Sequence, residues 1–168
     1  MRFLGFLFFL SSSLWGQNFS LQGIFYKKES ASLNYDKRFA TQLAYEQSVD
    51  PLIFGMHTRI APDFNRKAQE LTYDQHLYSL FLTCAFPWKA FFTFLPQIGV
   101  GTQWSHTHIV VDQVNHNVHR FSPVLEGAFR INYALSEEWS VGYQIFTTYD
   151  LLYGKQDWGH GGGVSFLR

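Results

Sequence analysis

Charged residues are scarce in this chain: thirteen Lys and Arg with thirteen Asp and Glu make up only 15% of 168 residues, where soluble domains carry roughly a quarter. The two signs cancel, so no basic surface is left over for a nucleic acid. Cysteine is nearly absent. The single Cys84 excludes an internal disulfide, and the fold must hold without covalent staples. No later segment approaches the ~18–20 continuous apolar residues of a membrane helix. Long helices of other kinds are excluded by the even scatter of Pro51, Pro62, Pro87, Pro96 and Pro123, each of which lacks the backbone donor a helix needs.

What is abundant is the aromatic ring. Eighteen Phe, nine Tyr and five Trp account for 19% of the chain. A soluble domain of this size has little interior to hide them in. A membrane β-barrel has a whole exterior that faces lipid.

The first sixteen residues read as a secretory signal peptide. Met1-Arg2 is a short basic start, Phe3 to Leu10 is almost wholly apolar, and Ser11-Ser12-Ser13-Leu14-Trp15-Gly16 brings small residues to a cleavage site. The apolar run is too short to span a bilayer. The mature domain is therefore expected at 17–168.

That remainder divides into eight segments of period-two alternation, the signature of strands. They are 18–29, 36–48, 51–61, 73–86, 90–104, 119–134, 138–150 and 159–168. In 51–61, Leu52, Phe54, Met56 and Ile60 share one face, while Gly55, His57 and Arg59 share the other. In 119–134, Leu125, Phe129, Ile131 and Tyr133 alternate with Glu126, Ala128, Arg130 and Asn132. One face is large and apolar; the other is small, polar or charged. Small barrels fill their interior with side chains. Glu46, Arg59, Glu126 and Arg130 are thus expected to point inward and neutralise one another, with Gln42, Gln97 and Gln144 beside them. Gly23, Gly55, Gly99, Gly101, Gly142, Gly161 and Gly163 are expected on the same inner face.

Connection lengths alternate. The gaps at 48–51, 86–90 and 134–138 are tight, and those at 30–35, 62–72, 105–118 and 151–158 are long. Outer-membrane barrels combine short periplasmic turns with longer external loops, whereas a β-sandwich has no reason to do so. The tryptophans follow the same division. Trp88 and Trp139 sit beside short turns, and Trp104 and Trp158 at long-loop ends. Two belts of amphipathic rings are what the two membrane interfaces select. The expected class is an all-β, eight-stranded antiparallel up-and-down transmembrane barrel in a bacterial outer membrane.

The hairpin from Ser122 to Tyr149, with Gly127, Tyr133, Leu135-Ser136, Trp139 and Gly142-Tyr143, resembles one found across the outer-membrane β-barrel superfamily, which includes the transmembrane domain of outer membrane protein A. The strand Phe94-Leu-Pro-Gln-Ile-Gly-Val-Gly is similar to the neighbouring strand of that group. The resemblance implies fold and location, not an activity. Residues 159–168 resemble the terminal strand such proteins present to the barrel-assembly machinery, except that Leu167-Arg168 follow the aromatic Phe166.

The chemistry on offer is thin. His106, His108, His116 and His119 crowd the third long loop, with Asp112 nearby, but their spacing matches no metal motif, and no metal or cofactor is expected. The mixed charges Asp63, Arg66, Lys67 and Glu70 in the second long loop read as a solvated face that could touch a host surface or lipopolysaccharide phosphates. Ser105 with His106 or His108, and Asp112 or Glu126 as orienting carboxylate, could form a hydrolase set of the kind some lipid-modifying barrels use. The His-x-Ser-Asn run of lipid A deacylases is absent, and adjacent strand residues face opposite ways. The leading expectation is a non-catalytic, monomeric barrel with a structural or surface-contact role, in contact with the lipid bilayer and lipopolysaccharide. A lipid A acyl hydrolase, a narrow pore, or a soluble lipocalin-like barrel with its rings inside are the alternatives. The membrane reading predicts that the chain, extracted in detergent, resists SDS until boiled and changes its gel migration on heating; a single heat-independent band counts against it.

Overall fold

The computed structural model describes residues 17–28, 36–62, 66–68, 71–111 and 114–167, so the expected signal peptide at 1–16 lies outside the described residues. Eight long strands build it: β1 (Gln17–Lys28), β2 (Asp36–Val49), β3 (Leu52–Ala61), β4 (Leu71–Ala85), β5 (Thr93–Val111), β6 (Val114–Ala134), β7 (Trp139–Asp150) and β8 (Gln156–Leu167). Each pairs antiparallel with its neighbours in sequence, and β8 pairs back onto β1 to close the barrel. Arg66–Ala68 adds a short ladder to the top of β4, and Trp88–Lys89 adds one to the foot of β5. The described residues contain no helix.

The register sets the shape. From Gln22 one path of paired residues runs through Gln42, Arg59 and Ser79 to Gln103 on β5. The opposite path runs through Gly163, Gly142 and Asn132 to Thr93 on the same strand. The two ends differ by ten residues, which is the shear of the barrel. With ordinary strand spacings, eight strands at that shear tilt by about 40° and enclose a backbone cylinder of roughly 8 Å radius. Such a cylinder is filled by side chains.

Alternation places every residue. Arg130 is 1% exposed and Glu126 4%, whereas Ile98 is 72% exposed and Trp88 74%. The bulky residues cover the outside in a band, and Trp139 near one end stands roughly 25–30 Å along the axis from Trp104 near the other. Outward hydroxyls do not disturb that band. Thr58 Oγ1 donates to Ser79 O at 3.1 Å and Thr147 Oγ1 to Asp157 O at 3.2 Å, each satisfied by the next strand. Within the same band Tyr143 Oη and His160 Nδ1 satisfy each other at 2.8 Å.

Three expectations need correction. First, the inner wall is not uniformly polar. Ile24, Ala40, Ala61, Leu77 and Phe146 form a buried apolar cluster on it, with Phe81, Leu95 and Val124 also buried. Phe146 and Phe81 lie directly over Gly159 and Gly101 of the adjacent strands, at paired positions. A glycine leaves the space a flat ring then fills. Second, Gly23 sits on the outer face, beneath the ring of Phe39, because its neighbours Gln22 and Ile24 are the inward ones. Third, residues 105–111 and 114–118 are paired strand rather than loop. The polarity that reads as a loop arises because this ribbon extends beyond the exposed apolar band, and residues 114–120 are exposed on both of its faces.

Turn chemistry accounts for the tight connections. Ser136 Oγ accepts from the backbone of Glu138 and Trp139 at 3.3 and 3.1 Å. Between β7 and β8, Asp150 Oδ1 accepts from Leu152 N and Tyr153 N at 2.9 and 3.0 Å, and Gly154 adopts φ +61°, a conformation that costs glycine little. The connection at 86–92 is longer than the sequence indicates, because Phe91, Phe92 and Tyr133 pack ring against ring below β5.

Two glycines make the packing testable. A Cβ at Gly101 would run into the carbonyl oxygen of Leu80, a backbone atom, whereas one at Gly127 meets nothing nearer than Thr147 Cγ2 at 3.7 Å. Gly101→Ala should destabilise the folded barrel by about 1–3 kcal/mol and Gly127→Ala by less than about 0.5 kcal/mol, measured by reversible urea unfolding in lipid vesicles.

Candidate functional site

Two regions concentrate chemistry: the middle of the lumen and the ribbon above it. In the lumen, Arg59 on β3 reaches across to β6, where its Nη2 donates to Glu126 Oε2 at 2.8 Å. The same guanidinium donates from Nη2 and Nε to Gln42 Oε1 on β2 at 2.9 and 3.3 Å. Gln42 Nε2 in turn donates to Gln144 Oε1 on β7 at 3.4 Å. His57 Nε2 lies 3.3 Å from the other Glu126 oxygen. The Arg59 plane also rests on an aromatic face, with Cζ 3.7 Å from the Phe146 centroid and 5.5 Å from that of Phe81. A cation over a desolvated ring gains electrostatic attraction that water would otherwise screen.

A second pair lies nearer the short-turn end. Arg130 Nη2 donates to Glu46 Oε2 at 2.7 Å, and Asn18 Nδ2 donates to the same oxygen at 3.2 Å. Below it the lumen opens into a vestibule where polar Asn18, Lys89 and Asn132 stand beside apolar Leu52, Ile53 and Leu95. Glu46, Arg59, Glu126, Arg130, Gln97 and Gln144 are all buried on the inner wall. The contacts join Arg59, Glu126 and Gln144 in one network and Glu46 with Arg130 in another; Gln97 enters neither. His57, a member of the first network, is on the inner face expected for it beside Arg59; Phe146 shares the inward parity of Gln144, so strict alternation is the signal that finds it.

The second region is the ribbon. β5 and β6 continue together past the aromatic belt as far as the pair Val111 and Val114, and the top of β4 pairs alongside. Trp104 and Trp158 are exposed near this end, and Trp88 and Trp139 near the other. The proposed hydrolase set does not assemble. Ser105 is buried on the inner face, while the rings of His106 and His119 stack on the outer one, and Glu126 is engaged deep in the lumen by Arg59 and His57. Asp112 lies outside the described residues, as do Asp63 and Glu70 and the side chains of Arg66 and Lys67. Among the described residues no group of three or more metal-type side chains is arranged to hold an ion.

No protein-family model matches this chain, and no curated protein matches it in sequence. Solved structures do. Ail, the attachment invasion locus protein of Yersinia pestis, superposes with a TM-score of 0.72 at 9% identity, covering 92% of this chain and 99% of that one. The fold is that of the small outer-membrane β-barrels. Neisserial surface protein A gives 0.68 at 14% identity, covering 89% and 96% of the two chains. A major outer membrane protein from Thermus thermophilus gives 0.65 at 11%, covering 90% and 99%. At these identities the agreement concerns the fold, and this barrel's own residues must supply the rest.

The lumen network yields a paired test. Reversing one partner, as Arg59→Glu or Glu126→Arg, leaves like charges facing each other in a dry interior, and each single variant should lose about 3–5 kcal/mol of stability. The double reversal should lose less than the sum of the two single losses, read by urea unfolding in vesicles; a double-variant loss equal to that sum would show that the two side chains are not coupled.

Proposed function

We propose that this chain is a bacterial outer-membrane barrel that makes contacts at the cell surface and carries out no chemistry itself. One observation carries the reading: β6 pairs with β7 only from Val124 onward, yet β6 begins at Val114. Residues 114–122 therefore form a strand that is paired with β5 on one side and has no strand on the other among the described residues. The ribbon rises past Trp104 by roughly 20 Å. Exposed edges of this kind accept a further extended segment through main-chain hydrogen bonds. Val114, Val118 and Phe121 are exposed along the strand, and no lysine or proline between 114 and 122 blunts it.

Support also comes from the lumen, where two ion pairs and the rings of Phe81 and Phe146 cross the interior. The rigid cylinder then serves as a base for the ribbon. On this reading the chain acts as a monomer, its apolar band contacts acyl chains and lipopolysaccharide, and residues 159–168 are the segment read by the assembly machinery. A neighbour of the same fold is named for attachment, in agreement with a contact role.

The test replaces residues 106–119 by a two-residue Asn-Gly turn. The shortened barrel should keep its heat-dependent gel shift, while cells displaying it should lose attachment to epithelial monolayers and to one another relative to cells with the full chain. Unchanged attachment would overturn the contact role, and an altered number of acyl chains on lipid A would favour the hydrolase instead.

A further inference from the structure

The ribbon brings together histidines that are far apart in the chain. His76 on β4, His106 on β5 and His119 on β6 occupy one cross-strand row. All three share the outward parity of Tyr78, Trp104 and Phe121, the belt residues one step below them. His108, two residues beyond His106, lies on the same face, in a row whose other register positions are Asp74 and Asn117. His106 is thus surrounded by imidazoles on both neighbouring strands and two residues along its own. The rings already meet. His106 and His119 stack at 4.5 Å with 7° between their planes, and His76 lies 6.4 Å from His106.

From this placement we infer that the outer face of the ribbon is a binding site for a borderline divalent transition cation of the zinc, copper or nickel class, held by His106 and His119 with His76 or His108 as third ligand. Neutral imidazole suits these ions, and Cβ atoms of directly opposed residues stand about 4.5–5.5 Å apart, a span that lets two imidazoles reach one ion at Zn–N distances of roughly 2.0–2.1 Å. In the arrangement seen here the rings are stacked face to face and their nitrogens do not converge in a set of three. Loading therefore turns the ring of His106 or His119 about its side-chain torsions. His119 is exposed and His106 half-buried, and the ring contact His119 gives up is with Trp104, at 6.1 Å and 8°. The site faces external water just above the membrane belt, so an ion reaches it without crossing lipid. It is independent of the strand-edge contact proposed above, since it uses side chains on a face and not the backbone of the edge.

The experiment is titration of the folded barrel in detergent micelles with zinc chloride, followed calorimetrically, and with nickel chloride, followed by quenching of tryptophan fluorescence. The wild type should bind one ion per chain. His106→Ala and His119→Ala should each weaken binding by about tenfold or more, and His76→Ala by less. His116→Ala should leave it unchanged, because His116 lies on the opposite face of the ribbon, paired with Ile109. The heat-dependent gel shift verifies that each variant is folded. Absence of binding to the wild type, or undiminished binding to the folded His106→Ala/His119→Ala double variant, would overturn the assignment.

Discussion

Everything in this molecule depends on how Arg59 and Glu126 are held in the dry centre of the barrel. Two opposite charges 2.8 Å apart are held there because each also meets further polar or aromatic groups of the inner wall. Gln42 accepts two further hydrogen bonds from the guanidinium, Phe146 covers the guanidinium plane, and His57 Nε2 lies 3.3 Å from the other carboxylate oxygen. Taking either ion out of water alone would cost several kcal/mol. The pair, the rings and the glutamines therefore act as one unit that ties β2, β3, β6 and β7 across the lumen. Ladder hydrogen bonds run only between adjacent strands, so this unit supplies the cross-bracing the cylinder otherwise lacks.

The exterior obeys the opposite logic. Lipid offers no hydrogen bonds, so polar groups on the outer face must be satisfied within the protein. Thr58 and Thr147 bond to the next strand's carbonyls, and Tyr143 pairs with His160. Above the upper belt the constraint ends, and composition changes with it. Over 105–111 and 114–120 the outward positions hold His106, His108, Val110, Asn115, Asn117 and His119, while both segments remain strand. A single hairpin thus passes from a hydrocarbon solvent to an aqueous one with no change in backbone geometry. That is why its sequence reads as strand below Trp104 and as loop above it.

Legibility followed the same division. The strand set and the inward direction of Glu46, Arg59, Glu126 and Arg130 could be read locally, since they rest on parity within single strands, whereas the connection lengths could not, because 105–111 and 114–118 are paired strand. Phe146 was equally readable and was missed because its bulk suggests the lipid side; only the glycine opposite it, Gly159, makes room for a ring inside. Gly23 failed for the converse reason. A glycine carries no sign of its face, and only its neighbours Gln22 and Ile24 reveal it. His76 could not be associated with His106 and His119 from spacing at all, because the association depends on the pairing of β4 with β5.

By itself the sequence determined that this chain alternates, that it has an even number of long strands and that most of its rings share one face. A membrane on one side and a narrow lumen on the other impose a choice on every residue, and that choice is written one position at a time. Tertiary structure alone decided the shear of ten, the identity of the ion-pair partners and the row of three histidines. Those follow from how eight tilted strands slide past one another when the sheet closes, a constraint that belongs to the whole ring and is not carried by any single strand.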